Sequence, residues 1–220
     1  MPNILLISVP RSTDDDDSPP ANADAALLAA LSKENSTNIH VSIEPSDASS
    51  FIEIGWPSTI ILTTDYLLDP VKNNNRENEP EYDRLLNLVQ FFPHTTIYYG
   101  GFCHPADTDE LYHFLNCWGN PRDDDGTEYD VILQKQNLGS LVRVEGLLEK
   151  FRTSATWLED VDEEEDEEVG EQVVVYKAVT DDGHEMIYAM MKKLEDRKVG
   201  YVGGNPGTGE AERVVVSMCS

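Results

Sequence analysis

The chain has 220 residues, 40% of them hydrophobic, and its 42 acidic and 16 basic residues give it a formal net charge of −26. That length suits one α/β domain with a single hydrophobic core. A surface with so large an excess of negative charge repels nucleic-acid phosphates and anionic membranes, so we expect neither as a partner. The expected partner is another protein or a small molecule.

The cysteines and the N-terminal segment indicate the compartment. Cys103, Cys117 and Cys219 are odd in number and lack the spacing of metal ligands, so we expect no metal, and no other pattern predicts a cofactor. The opening segment, MPNILLISVPRS, has an apolar run too short for a signal-peptide core and no basic residue ahead of it. No stretch approaches the roughly 20 apolar residues of a membrane span. These features predict a reduced, cytoplasmic protein.

Short β-rich runs alternate with amphipathic helices in the first half of the chain. The expected strands lie at residues 3–8, 38–44, 58–65 and 95–99. A helix rich in Ala and Leu is expected at 23–34 with Asn22 as its cap, and a second begins near Pro80 and ends before Pro93. Such alternation predicts an α/β fold of three layers, with a mainly parallel sheet and helices on both faces.

The fourth expected strand leads into a possible nucleophile corner, within TTIYYGGFCHPADTDELYHFLNCWG at residues 95–119. Gly100 and Gly101 are expected to form a tight turn, Cys103 and His104 follow them, and a capping-box pattern predicts a helix soon after. The first amides of such a helix stabilise a thiolate, so Cys103 is a candidate nucleophile with His104 as its base. The alternative is a small buried side chain that fills a tight corner.

The second half of the chain predicts antiparallel strands added to this sheet. A strand is expected at 129–136, a partly helical stretch at 139–151, and three strands in an antiparallel meander at the sheet edge within 172–204. A helix at 209–219 closes what we expect to be a single domain spanning residues 1–220.

An acidic run interrupts this pattern. Nine of the ten residues at 159–168 are acidic. Because like charges repel one another and stay solvated, residues 159–170 are expected to form a mobile acidic loop. The run lacks the glycine-punctuated alternation of a calcium-binding loop.

Three stretches carry a resemblance to a known family. They are the opening strand NILLIS with the extended loop behind it, the corner segment quoted above, and the ending HEMIYAMMKKLEDRKVGYVGGNPGTGEAERVVVSMC. In these stretches the chain resembles the ThuA-like branch of the class I glutamine amidotransferase-like superfamily. The resemblance implies a flavodoxin-like three-layer fold.

The catalytic motifs of that superfamily are incomplete in this sequence. Active amidotransferases carry Gly-x-Cys-x-Gly at the corner, whereas GFCHP has Pro105 in place of the second glycine. Their downstream His-x-Glu is missing, and the nearest match, GHE at 183–185, falls in a predicted hairpin turn. Cys103 and His104 alone match, and they look like the Cys-His pair of the DJ-1/PfpI branch without its acidic partner.

Candidate ligand residues follow the expected parallel strands, because open parallel sheets bind ligands at the carboxyl ends of their strands. Arg11 follows the first strand, Asp65 the third, and Gly100 and Gly101 the fourth. Arg11 either pairs with an anionic ligand or neutralises the DDDD run nearby. The glycine-rich GGNPGTG at 203–209 is either a phosphate cradle or, as we favour, a loop that allows a sharp reversal.

Two functions are therefore expected from the sequence. The favoured one is a non-catalytic ThuA-like domain that acts through protein contacts or binds a small metabolite at the carboxyl edge of the sheet. The alternative is a cysteine-dependent hydrolase or amidase that uses Cys103. A binder of flavin or nucleotide phosphate follows from fold analogy alone.

The pKa of the Cys103 thiol separates the two expected functions. A catalytic thiol needs a pKa well below the free value of roughly 8.5, because the thiolate is the nucleophile. Carboxylates within residues 107–110 oppose a second negative charge, so we expect an ordinary or raised pKa and a folded Cys103→Ser variant. Iodoacetamide reactivity titrated against pH, with the other two cysteines replaced, measures this pKa. A half-maximal rate below about pH 7 contradicts the non-catalytic function.

Overall fold

The computed structural model describes residues 3–8, 22–33, 38–63, 80–99, 121–122, 126–138, 140–159, 171–204 and 207–219. In these residues eleven strands form one mixed sheet with four α-helices. The strands are β1 Asn3–Ile7, β2 Asn38–Ser42, β3 Thr59–Leu62, β4 Thr95–Tyr99, β5 Pro121–Arg122, β6 Tyr129–Leu133, β7 Lys150–Thr153, β8 Trp157–Glu159, β9 Gln172–Val179, β10 Glu185–Lys193 and β11 Lys198–Val202. The helices are α1 Asn22–Lys33, α2 Pro45–Gly55, α3 Pro80–Phe91 and α4 Glu210–Met218.

One half of the sheet is parallel. Its strand order is β2-β1-β3-β4-β11, and every neighbouring pair in that order is parallel. The interior strands β1, β3 and β4 are apolar runs buried along nearly their whole length, as expected for strands that are covered on both faces. The prediction of a parallel sheet from the four N-terminal strand segments is therefore confirmed.

The other half of the sheet is antiparallel and larger than the sequence suggests. The order continues β11-β10-β9-β6-β7 with antiparallel pairs throughout, and β8 pairs with both β10 and β5. The meander of β9, β10 and β11 is confirmed, but its expected place at the sheet edge is wrong. The strand β11 pairs in parallel with β4, and β6 and β7 extend the sheet beyond β9.

Two further details differ from the sequence-based expectation. The described residues between 140 and 149 form turns instead of a partial helix, with Gly146 at a φ of +86°. The helix α2 was not anticipated, although Pro45 occupies a first-turn position that tolerates proline. Its last residue is Gly55, and Trp56, which follows and caps it, has a left-handed φ of 47°.

The helices cover the two faces of the sheet, and the sheet divides the hydrophobic core into two clusters. Ile4 and Leu6 of β1 pack with Leu27 of α1 and Val214 of α4 on one face. The alternate residues Leu5 and Ile7 pack on the other face with α2 and α3. This division follows from the alternation of side chains along a strand. No helix within the described part of the chain is long and apolar enough to cross a membrane.

The buried imidazole of His94 makes stability depend on pH. Its Nε2 atom lies 2.8 Å from the Thr96 hydroxyl, and burial, with the charge of Arg197, lowers the pKa of His94 from 6.5 to about 4. Between these two pKa values His94 binds more protons in the unfolded chain than in the folded protein. Acidification from about pH 6.5 to 4 should therefore lower the free energy of unfolding by about 3 kcal/mol.

Urea unfolding of the wild type and His94→Gln across this pH range measures the effect. The variant removes the titrating group and controls for the repulsion among carboxylates, which both proteins share. If the free energy of unfolding fell equally with pH in the two proteins, the prediction would be wrong.

Candidate functional site

The carboxyl ends of β1 and β3 lie side by side at the point where the strand order reverses. The strand β1 pairs with β2 on one side and with β3 on the other. The ends are joined by backbone bonds, in which the amide of Ser8 donates to the Ser42 carbonyl at 2.9 Å and that of Thr63 to the Ile7 carbonyl at 3.1 Å. In open α/β sheets this reversal point is where ligands bind.

The residues predicted from the sequence to form the site lie outside the described part of the chain. They are Arg11, Asp65, Gly100, Gly101, Cys103 and His104. Their roles stay predictions. The strands that precede them, β1, β3 and β4, are in place and end at the same edge of the sheet. The expected helix after the corner and nearly all of the expected acidic loop at 159–170 are likewise outside the described residues.

A buried carboxylate, Glu212, lies at this edge where α4 begins. Its side chain is 2% exposed. One oxygen accepts hydrogen bonds from the amide of Gly207 at 2.6 Å and from the hydroxyl of Tyr99 at 3.0 Å. The other accepts from the amide of Gly209 at 2.7 Å. Glu212 thus caps its own helix from the third helical position and ties it to the last residue of β4.

The hydrogen bonds of Glu212 distinguish between the two roles expected for the glycine-rich loop before α4, a phosphate cradle and a sharp reversal. The amides at a helix start attract anions, and here a carboxylate of the chain accepts from the amides of Gly207 and Gly209. The φ angles of these two glycines, +88° and +84°, are ones that side chains rarely adopt. Among the described residues, the loop therefore serves as the sharp reversal that we favoured, and an internal anion fills the place of a phosphate.

Tyr188 lies near Glu212, and its hydroxyl is buried without a hydrogen-bond partner among the described residues. Tyr188 lies at a register shift of β10, where the partner of Ile187 in β9 is Lys177 and the partner of Ala189 is Tyr176. Its hydroxyl faces Gly204, where an added Cβ would overlap it. Burial, followed by the charge of Glu212, raises the pKa of Tyr188, so the phenol stays protonated.

Aromatic rings surround Tyr188 within the core. Its ring centroid lies 5.3 Å from that of Phe151, 6.0 Å from that of Trp157 and 6.1 Å from that of Tyr176. The Tyr176 hydroxyl donates to the carbonyl of Leu148 at 2.7 Å, and burial raises the pKa of Tyr176 to about 12. Packing of this kind stabilises a core, and it buries the rings of Trp157, Tyr176 and Tyr188 while Phe151 is half-buried.

Reactive groups are scarce in the described part of the chain. Of the three cysteines it contains Cys219, which is a free thiol, and burial raises its pKa to about 12. A thiol with so high a pKa is a poor nucleophile at neutral pH. No group of three His, Cys, Asp or Glu side chains in the described residues is arranged to hold a metal ion.

An apolar surface patch lies at the opposite edge of the sheet, where α2 and α3 end. Ile54, Trp56 and Phe91 are 83%, 66% and 73% exposed. The ring of Trp56 packs edge-on against Phe92, with centroids 5.1 Å apart, which joins the two helix ends. We call these four residues the α2–α3 patch. Sequence reasoning missed it, although Ile54 falls off the buried stripe of Ala48 and Ile52. Trp56 continues that stripe by helical spacing, and its exposure accompanies the left-handed φ that ends the helix.

Comparisons with known proteins bear on the fold. No family model and no curated protein matches the sequence. A solved β-galactosidase from Bacillus circulans sp. alkalophilus matches with a TM-score of 0.55 at 12% identity, over 99% of this chain and 30% of that one. Agd3, a carbohydrate deacetylase, matches with a TM-score of 0.54 at 9% identity, over 100% and 32%. The chain thus spans about a third of these longer proteins, and at such identities the likeness shows the fold alone.

Two tyrosine-to-phenylalanine changes test the buried cluster. Tyr99→Phe removes a donor from a buried carboxylate and should lower the free energy of unfolding by about 2 kcal/mol. Tyr188→Phe removes a hydroxyl that has no hydrogen-bond partner among the described residues, so it should leave the free energy of unfolding unchanged or slightly raised. Chemical denaturation of both variants measures the difference. An equal loss in the two would show that the Tyr188 hydroxyl has a partner.

Proposed function

We propose that the protein is a non-catalytic α/β domain that acts by docking a partner protein on the α2–α3 patch. The observation that carries this proposal is the exposure of Ile54, Trp56 and Phe91, each above 60%, at two adjoining helix ends. Single exposed apolar side chains are common, but several large ones at the ends of two packed helices are typical of interaction surfaces. Trp and Phe are also enriched at protein–protein interfaces.

The backbone at Trp56 supports an interaction role. With a φ of 47°, Trp56 adopts the left-handed conformation in which glycine commonly ends a helix. A bulky residue there costs roughly 1–2 kcal/mol relative to the usual backbone conformation. The indole ring of Trp56 packs edge-on against Phe92, and 66% of the residue is exposed to solvent. A bound partner that covers the indole would supply the missing packing energy.

Charge favours a different protein over a second copy of this chain. Two copies carrying −26 each repel one another, whereas a partner with a basic rim around an apolar anchor is attracted. The free thiol of Cys219 is compatible with the reduced cytoplasm, where we propose that this contact forms.

The finer fold assignment is also a proposal. The order β2-β1-β3-β4, followed by the parallel strand β11, agrees with the order that flavodoxin-like sheets have. This agreement supports the ThuA-like resemblance. The two carbohydrate-active matches contribute the fold alone, so we propose no activity on carbohydrate.

A cysteine-dependent hydrolase is the alternative function. One observation favours it: Tyr99, the last residue of β4, contacts a buried carboxylate, and Cys103 follows four residues later in the sequence. All the described hydrogen bonds of that carboxylate are to Tyr99 and to the two loop amides, so it already has an internal structural role. The pH titration of Cys103 reactivity distinguishes this alternative.

Charge insertion in the patch tests the docking proposal. Ile54→Asp with Phe91→Asp places two carboxylates in the patch without disturbing buried residues, since both side chains are exposed. Cross-linking with mass spectrometry in cells should show a partner with the wild type that the double variant loses. Ile132→Asp, at a site that is 47% exposed on β6, is the matched control and should keep the partner.

The outcomes are distinct. The partner found with the wild type should bind the purified protein and dissociate more easily at high salt, because a basic rim contributes. A partner retained by the double variant, or concentration-dependent self-association of the wild type that the double variant abolishes, would overturn the proposal.

A further inference from the structure

A groove of about 310 Å³ lies between α1 and α4, on the face of the sheet opposite α2 and α3. Its third wall is the turn at residues 143–146. The turn is fixed to the end of α4, because the amide of Arg143 donates to the carbonyl of Ser217 at 3.0 Å. This volume is at the lower end of small-molecule sites, which begin at roughly 300 Å³. We call this site the α1–α4 groove.

The groove is open because α1 presents small side chains there. Ala26, Ala29 and Ala30 recur at the spacing of one helical face, and Lys33 continues it one turn later. Each alanine contributes a single methyl group, so the space between the two helices is left unfilled. The apolar floor that results is of the kind against which the carbon skeleton of a small ligand packs.

Three cations line this groove in a chain that has few. They are Lys33, Arg143 and Arg213, three of the 16 basic residues in the sequence. Several other described cations are held in ion pairs, such as Lys150 with Asp130 and Arg84 with Glu53. Lys33 and Arg213, by contrast, form no ion pair with any described residue.

The acidic residues that line the groove do not cancel this charge. Glu212 is buried, and its carboxylate oxygens already accept hydrogen bonds from the loop amides and from Tyr99. Glu145 is the other carboxylate among the described lining residues. Three cations against two carboxylates leave the described lining of the groove with a net charge of +1. The negative charge elsewhere on the protein is screened beyond about 8 Å at physiological salt.

We propose that the α1–α4 groove binds a small organic anion that carries carboxylate or phosphate groups. Guanidinium groups pair with either group through two parallel hydrogen bonds, and the ammonium of Lys33 supplies a point charge at the far end of the alanine face. The site lies on the helical layer opposite the α2–α3 patch, so it goes beyond the docking proposal and does not depend on it.

Calorimetric titration with two probes tests the proposal, citrate for carboxylates and fructose 1,6-bisphosphate for phosphates. At least one should bind the wild-type protein saturably. Arg213→Gln and Lys33→Gln should each weaken that binding about tenfold, because each removes a charge-assisted contact. Lys193→Gln, which makes the same charge change at an exposed site outside the groove, is the matched control and should bind as the wild type does.

A variant that changes shape without charge completes the test. Ala29 is exposed, so Ala29→Leu should fold normally while its side chain fills the groove and abolishes binding. Binding lost equally in Lys193→Gln, or kept in Ala29→Leu, would show non-specific attraction and overturn the proposal. Failure of both probes to bind at millimolar concentration would also overturn it, and neither result would bear on the patch.

Discussion

The parallel pairing of β11 with β4 is the contact on which the rest of the structure depends. Five consecutive residue pairs, from Lys198 with Thr95 to Val202 with Tyr99, join the parallel half of the sheet to the antiparallel half. Both strands are buried on both faces, so breaking this pair would expose both core clusters at once. The hairpin from β10 delivers β11 to this position, which makes one continuous sheet from two kinds of strand pairing.

The end of β11 then determines the geometry of the carboxyl edge. At Gly203 an added Cβ would overlap the backbone of Thr156, and at Gly204 it would overlap the Tyr188 hydroxyl. Glycine lets the chain pass this close to both, and the next turn starts α4 where Glu212 reaches Tyr99. The carboxylate therefore joins the last parallel strand to the last helix. An edge that binds ligands in related architectures is here closed, in part, by the chain itself.

Sequence reasoning succeeded where the signal is local. The apolar runs of β1 and β3 are strands because no other local structure buries them on both sides. It placed the meander wrongly, because the position of β11 depends on a partner about a hundred residues away. The contact of Tyr99 with Glu212 spans 113 residues and has no local trace. The contact of Glu212 with Gly209 could be predicted from the sequence, because a glutamate three residues after a helix-cap position is a helix-start pattern. The three cations that line the α1–α4 groove come together through packing alone.

The net charge of −26 acts differently at the two surfaces proposed for binding. Charge at long range governs how two macromolecules approach, so the whole acidic chain attracts a partner with a basic rim toward the α2–α3 patch. A small anion inside the α1–α4 groove instead experiences the charges within a few ångströms, where Lys33 and Arg213 have no described counter-ion. Screening separates these two length scales, because charges more than about 8 Å apart interact weakly through physiological salt. A strongly acidic protein therefore retains the means to bind an anion, provided that a few of its cations line one groove.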